Sequence, residues 1–484
     1  MAEAQAFATL TYGVRLPVVA KYLGQLAVAL AGVALVPALV AAALAEPDVA
    51  SRFALVTLVL AGAGFSLARR PAPRSVQTNE ALVVTALAYL LGAAAMAFPL
   101  AAAGLAPGTA LFESISGLTT TGLTLIANVD ALPRSVLFAR AWLQWCGGLG
   151  IVVLSVVLLA ESDVASRRLI EPAPVGEHLA TTAAAFARRM LAAYIALTAA
   201  VLAVLLAVGV GAFDALAYSL AGVSTGGFAP HQDGLAAYGG GARVAVIATG
   251  LAGAVALPLY AAAARGDWRR VASDVELRAL ALLATGVCVA LALLGAGGDL
   301  PLLDRVLLGV SAQTTTGFAS APAAALDAAS KVVLLAAMCI GGAVGSTAGG
   351  IKLLRLVLAA KAARLMLRRM AMPPRAVAEL HLQGRRIEDR EALRALVLVL
   401  TFILFAVASW LPFVIAGYDP LDSLFEVVSA LGTVGLSTGI TAESLPAGLK
   451  AVLAADMLLG RVEFLAMLVL LQPATWFARR VAER

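Results

Sequence analysis

Apolar residues run along this chain in long blocks, and polar residues gather between them. Segments of about 20 mainly apolar residues, the length a helix needs to cross a bilayer core, occur at 22–45, 51–68, 81–104, 135–160, 188–212, 243–264, 275–296, 329–344, 393–416 and 447–478. The pattern predicts ten spanning helices. Four stretches rich in Gly, Ser and Thr interrupt it: SGLTTTGLT at 116–124, AGVSTGGFA at 221–229, SAQTTTGFA at 311–319 and SALGTVGLS at 429–437. Aligned on Gly122, Gly227, Gly317 and Gly435, they form an internal repeat. Thirteen residues before these glycines stand Thr109, Asp214, Asp304 and Asp422, residue types that cap helix N-termini. A short helical pattern follows each, with Glu113 and Glu426 in the same register. Each unit therefore predicts an outer helix, a helix too short to cross, a glycine-bearing loop and an inner helix, and four such units can surround one axis.

Composition fixes the medium. Of the 484 residues 61% are hydrophobic and 13% charged, far more apolar than a soluble domain, so the fold class is an all-α polytopic membrane protein. Arg15 and Lys21 precede the first apolar segment, which is too long for the core of a signal peptide and is read as an anchor that stays. Arg69, Arg70 and Arg74, then Arg167, Arg168, Arg188 and Arg189, then Arg265, Arg269, Arg270 and Arg278, and later the series from Lys361 to Arg390, fall in alternate connections. Those connections face the cytoplasm. Arg15 and Lys21 at one end, with Arg479, Arg480 and Arg484 at the other, place both termini there as well. Topology and lipid headgroups account for the net charge of +6, and no nucleic-acid partner is needed. Cys146, Cys288 and Cys339 lie in apolar segments and read as small buried residues. His178, His231 and His381 are scattered without metal spacing, and no nucleophile stands with a base, so an enzyme is not expected.

Extended backbone at membrane depth is tolerated only where protein buries it or where it lines a water-filled path. A glycine there supplies positive φ or a close backbone approach, and Thr and Ser hydroxyls add oxygens to the backbone carbonyls. Rings of such oxygens replace the hydration shell of a cation. The C-terminal end of each short helix adds a partial negative charge. The candidate selectivity filter is therefore Thr120, Thr121 and Gly122, with Thr225, Gly226 and Gly227, Thr315, Thr316 and Gly317, and Thr433, Val434 and Gly435. Gly226 and Val434 stand where the other two loops have threonine, so the ring is only approximately fourfold. Glu113 and Glu426 either brace the short helices or face the ion, the first reading being favoured.

The stretch GGAVGSTAGGIK at 341–352 interrupts a helix expected from about Lys331 to Leu367. Five glycines within ten residues make poor helix. A phosphate-binding loop is excluded, because Gly350 is followed by Ile351 and no strand precedes it. A kink that lets helices pack closely is the alternative to a functional loop. Arg461 is the single basic residue well inside an inner helix. At the bilayer centre it needs a partner or a wet cavity, unless it snorkels to water. Gly147 and Gly148, beside Trp142 and Trp145, permit close helix packing.

Taken together, the four glycine loops, QWCGGLGIVVL at 144–154, IGGAVGSTAGGIKLLR at 340–355 and MLLGRVEF at 457–464 resemble the TrkH/KtrB superfamily of potassium transporters over roughly residues 75 to 484. The additional helix pair before residue 70 is more similar to TrkH, whereas GTVGLSTG at 432–439 is closer to KtrB. The resemblance implies an N-terminal helix pair at 1–74 and four pore repeats at 75–170, 171–270, 271–385 and 386–484. It implies potassium uptake across the cytoplasmic, inner membrane through a channel-like subunit, with K+ as the transported ion and no cofactor in this chain. The alternative is a sodium- or proton-coupled secondary cation transporter with the same pore. In related plant transporters a serine at the first filter glycine goes with sodium permeation, and here that position is Gly122. The resemblance makes 341–352 an intramembrane gate, with Gly345, Ser346, Thr347, Gly349, Gly350 and Lys352 as gating residues, and assigns Arg461 to contact with it. It also implies a homodimer and a cytoplasmic nucleotide-binding regulatory subunit of the TrkA/KtrA kind, for which the basic segment from Lys361 to Arg394 is either a docking surface or a lipid-facing arm.

Overall fold

The computed structural model describes residues 13–73, 76–159, 179–295, 300–373, 379–382, 385–462 and 464–477. Arg74, Arg167, Arg168, His178, Arg375, Arg479, Arg480 and Arg484 lie outside the described residues. Most of the described residues are helical. Helices α1 (Leu16–Ala43), α2 (Pro47–Ala68) and α3 (Thr78–Leu100) come first, followed by the short α4 (Pro107–Leu118) and the long α5 (Arg134–Leu159). The second group is α6 (Leu179–Ala207), α7 (Ala212–Val223), α8 (Gly240–Ala254) and α9 (Leu257–Ala264). After α10 (Trp268–Ser273) come α11 (Val275–Leu294), α12 (Leu302–Gln313), α13 (Ala328–Ile340) and α14 (Leu353–Met370). A hairpin of β1 (Leu380–Leu382) and β2 (Arg385–Ile387) precedes α15 (Asp389–Ile415), α16 (Pro420–Leu431), α17 (Ala447–Val462), α18 (Phe464–Leu471) and α19 (Pro473–Phe477). This antiparallel hairpin, which pairs Leu380 with Ile387, is an addition to the all-α expectation.

Among the described residues six helices are long and apolar enough to cross a membrane, or seven if α8 and α9 count as one bent span. Many of their large apolar side chains point outward: Leu282 is 74% exposed and Leu293 73% on α11 alone. Leucines so placed need lipid around them. Three expected continuous spans are interrupted. The segment 243–264 breaks between α8 and α9 with a 93° bend, where Pro258 at the second position of α9 cannot continue the preceding helix. The segment 329–344 stops at Ile340, and 447–478 breaks at Gln472, between α18 and α19.

Contacts divide the chain into two compact units, one of 1–115, 133–139 and 462–484 and one of 116–132 and 140–461. In the first, α1 and α2 form a close hairpin because Gly24 and Gly64 meet: a Cβ on Gly24 would stand 2.8 Å from the Gly64 carbonyl oxygen. Arg15 binds the buried Glu80 through Nε and Nη2 of its guanidinium, at 2.7 and 2.8 Å, the bidentate geometry that makes a strong pair. The Glu46 carboxylate accepts from the Arg134 and Ser135 amides at 3.0 and 3.1 Å and so neutralises the N-terminus of α5. In the second unit, an apolar cluster joins Leu380, Leu382 and Ile387 of the hairpin to Leu354 and Leu358 of α14 and to Val344.

Candidate ion-conduction site

The four short helices α4, α7, α12 and α16 have 12 residues each. At about 1.5 Å per residue they reach about 18 Å, little more than half of a hydrocarbon core. Thr109, Asp214, Asp304 and Asp422 occupy the third residue of these helices and not the cap. The N-cap of α16 is Asp419, which accepts from Leu421 and Asp422. Acids at the third position still face the positive helix end, and here they tie the repeats together. Asp304 pairs with Arg243 of α8 at 3.0 Å, and Asp422 with Lys331 of α13 at 2.7 Å. Asp214 accepts from Tyr238 at 2.7 Å and lies 3.0 Å from Nε2 of His231, whose Nδ1 is 3.4 Å from Asp130.

Each short helix ends in the same way. The amides of Thr120, Thr225, Thr315 and Thr433 bond three residues back, and those of Thr121, Gly226, Thr316 and Val434 bond five residues back, at 2.7 to 3.1 Å. This is the Schellman pattern, which normally places glycine at the left-handed residue. Here that residue is threonine four times, with φ between 50° and 54°. A β-branched residue in this region is strained. Four-fold recurrence of the same strain at equivalent positions marks a shared requirement. Two residues later Gly122, Gly227, Gly317 and Gly435 also have positive φ, from 79° to 95°.

Those four glycines close a ring. A Cβ on Gly122 would lie 2.3 Å from the Gly226 carbonyl oxygen, one on Gly227 2.3 Å from that of Thr316, one on Gly317 2.0 Å from that of Val434, and one on Gly435 2.2 Å from that of Thr121. Loop one thus abuts two, two abuts three, three abuts four, and four returns to one, all through backbone. Thr120, Thr121, Thr225, Thr315 and Thr316 are fully buried. The hydroxyl oxygens of Thr120 and Thr433 have no hydrogen-bond partner among the described residues. Buried oxygens left open in this way are suited to a cation or its water. Glu426 does not face the ring: its carboxylate accepts from Ser437, Thr438 and Thr441 and so braces the segment leaving the fourth loop. Glu113 is buried.

Inner helices cross the short ones at glycine. A Cβ on Gly147 would be 2.0 Å from the Leu118 carbonyl oxygen, on Gly253 2.6 Å from that of Val223, and on Gly460 1.9 Å from that of Leu431. This is the close packing expected of Gly147. Gly148 faces Tyr194 and Ser224 at similar range. Cys146, Cys288 and Cys339 are free thiols.

Residues 341–352 form an irregular loop between α13 and α14, with positive φ at Gly341, Gly345, Gly350 and Lys352. The helix that precedes it excludes the strand a phosphate-binding loop would require. The broken helix α8–α9 and this loop satisfy each other: the Ala343 and Thr347 amides donate to the carbonyls of Ala254 and Gly253 at 3.1 and 3.2 Å, and the Leu257 amide donates to Gly345 at 3.0 Å. The loop also reaches the ring, because the Gly349 amide donates to the Thr315 hydroxyl at 2.7 Å and the Gly350 amide to the Gly432 carbonyl at 3.0 Å. The Thr347 hydroxyl donates to the carbonyls of Val223 and Gly253 at 2.8 and 3.0 Å, and that of Ser346 to Ala343 at 2.6 Å. Lys352 returns its ammonium to the Ala348 carbonyl. Arg461, almost fully buried, donates to the Thr347 carbonyl at 2.7 Å and to the Gly147 carbonyl at 3.2 Å. Glu463, its neighbour in sequence, lies outside the described residues.

Three residues that the sequence did not single out hold this arrangement. Glu276 of α11 accepts from the Val344 amide at 2.8 Å, Gln313 donates to the Gly341 carbonyl at 2.9 Å, and Gln144 of α5 bonds the second loop. Gln144 and Gln313 lie inside the repeated or glycine-rich motifs, which was the available signal. Glu276 is indistinguishable in sequence from an ordinary acid in a first helical turn.

A ring of backbone-lined loops on helices too short to cross, in a chain whose long helices turn leucine outward, defines a polytopic membrane protein. Comparison with known proteins agrees: the TrkH family, described as cation transport protein, matches residues 46–295 and 301–476. A Trk system potassium uptake protein TrkH of Halomonas elongata is 31% identical over 443 residues, covering 87% of this chain and 91% of that protein. A cation transporter of Methanocaldococcus jannaschii is 30% identical over 410 residues, covering 84% of this chain and 85% of its own length. The crystal structure of the potassium transporter TrkH from Vibrio parahaemolyticus aligns with a TM-score of 0.84 at 26% identity, over 96% of this chain and 100% of that one. The chain belongs to the TrkH family of cation transport proteins.

Proposed function

We propose that this chain takes up potassium across the cytoplasmic membrane as the ion-translocating, channel-like subunit of a Trk-type system. The observation that carries the proposal is the closed ring of Gly122, Gly227, Gly317 and Gly435, each against the backbone carbonyl of the next loop. The residues from Thr120 to Gly122, Thr225 to Gly227, Thr315 to Gly317 and Thr433 to Gly435 are its selectivity filter, with K+ as cargo and no resident cofactor or enzymatic activity. Four pore repeats at 75–170, 171–270, 271–385 and 386–484 follow the helix pair of 1–74, and four equivalent helix ends support that division. With inside-negative potential, about 2.3 kcal/mol per 100 mV draws each ion inward.

The loop of 341–352, with Arg461, is the gate in this reading. Its bonds to Thr315 and to Gly432 support a position against the ring. The protein works as a homodimer in the inner membrane, with both termini cytoplasmic, and a cytoplasmic nucleotide-binding subunit acts on the basic segment from Lys361 to Arg394. The apolar cluster that joins the hairpin to Val344 supports that route from segment to loop. Rubidium uptake into liposomes carrying the purified chain tests the function. Uptake that unlabelled potassium suppresses, and equal sodium suppresses far less, is expected. No uptake by folded protein, with or without a regulatory partner, refutes it.

A further inference from the structure

Gln144 sits on the inner helix of the first repeat, and no part of its side chain reaches solvent. Its amide grips the second loop at two points. Nε2 donates to the Gly226 carbonyl, and Oε1 accepts from the Phe228 amide at 3.1 Å. A side-chain amide bonded in this way serves the extended loop as a neighbouring strand would. It also takes up the space in front of residue 226: a Cβ there would lie 2.4 Å from Cδ of Gln144 and 2.5 Å from its Oε1. At the third loop the sizes are exchanged. Thr316 carries the side chain, and α8 meets it with Gly250, where a Cβ would fall 2.0 Å from the Thr316 hydroxyl oxygen. Thr316 turns its hydroxyl to Thr314 of its own repeat at 2.7 Å, and Thr121 does the same with Thr119 at 2.8 Å. Each junction has room for one side chain. At the second loop the neighbouring inner helix supplies it.

The Gly226 carbonyl oxygen held by Gln144 is the same atom that Gly122 packs against across the ring. From this we infer that Gln144 is a positioning residue for ion selection: it fixes the Gly226 carbonyl and thereby the spacing of the first and second quarters of the filter, and it is the reason that position 226 is glycine. The inference rests on the reading of the four loops as a cation filter.

The test uses the full chain in liposomes and reads the potassium-to-sodium permeability ratio together with melting temperature. Gln144→Met keeps the volume and removes both hydrogen bonds. Its ratio is expected to fall about three- to tenfold, the factor carried by one neutral hydrogen bond. A residue serving packing alone would lower the melting temperature and leave the ratio unchanged. Gln144→Gly, Gly226→Thr and the double variant form a cycle. Gly226→Thr alone is expected to assemble poorly, and the double variant, which reproduces the Gly250–Thr316 pairing, to recover melting temperature and ratio. The cycle decides the matter if Gln144→Met does not fold. A folded Gln144→Met with the wild-type ratio, or a Gly226→Thr tolerated equally with and without Gln144, overturns the inference. Gly122→Ser in the same vesicles separates the two levels: if it alone shifts the ratio, only the role of Gln144 falls, and if neither variant shifts it, the filter reading falls too.

Discussion

Removing Arg461 tests the gate. Arg461 is 3% exposed, and its guanidinium donates to two backbone carbonyls, that of Thr347 in the loop and that of Gly147 on α5. Arginine suits the task because several donors act from one rigid plane. A hydrogen bond to a charged group contributes about 1.5–3 kcal/mol, and the bond to Thr347 joins the inner helix to the loop. Arg461→Ala should therefore lower the advantage of the closed loop by about that amount, a shift of about 10- to 150-fold in the closed-to-open ratio. Rubidium uptake into liposomes without any partner protein is the assay, with melting temperature as the check on folding. Uptake should rise in Arg461→Ala and in a variant lacking 345–349. The double variant should gain little over either single one, since both break the same contact. The deletion also frees Gly253 and Leu257 at the bend, so its melting temperature should drop more. Unchanged or slower uptake in a folded Arg461→Ala would show that the arginine serves packing, and the barrier would have to lie elsewhere.

Three further outcomes are expected. Gly122→Ser must do more than add a hydroxymethyl group, because its Cβ meets the Gly226 carbonyl oxygen at 2.3 Å and the residue has φ of 91°; the ring should widen and sodium permeation rise, and an unchanged permeability ratio in a folded variant argues against a filter there. Gly460→Ala puts a Cβ 1.9 Å from the Leu431 carbonyl oxygen, so a loss of about 1–3 kcal/mol is expected from overpacking; an unshifted melting temperature would contradict so close a crossing. At His231 burial works against the charged ring, but the hydrogen bond to Asp214 and its charge, with Asp130 behind, raise the pKa above its ordinary value. The stabilisation is full below the unfolded value and fades as pH rises through the raised folded one; melting curves across neutral pH should show that loss in wild type and not in His231→Gln, and parallel curves would refute it.

Much of the architecture was legible because two features leave strong marks. Spans need long apolar runs, and a residue with positive φ pressed against backbone tolerates no Cβ, so the glycine column stood out. Threonine in the left-handed position did not, since glycine is the ordinary occupant and nothing in a TTG or STG string indicates strain. The acids placed at caps were three residues off because the cap and the first turn share residue preferences. The break in α8 escaped because the groups that satisfy its free carbonyls come from Ala343 and Thr347, some ninety residues on. For the same reason the bond from Gln144 to Gly226, across 82 residues, has no local signature. The contact between Arg461 and the loop was anticipated through family resemblance and not through spacing.

The most direct measurement of the central claim is the anomalous scattering of crystals of this protein grown with rubidium in place of potassium. A rubidium peak inside the ring, bounded by the carbonyls of Thr121, Gly226, Thr316 and Val434 and by the hydroxyls of Thr120 and Thr433, is the predicted result. A well-ordered ring with no rubidium in it, at concentrations that support uptake, would contradict the account.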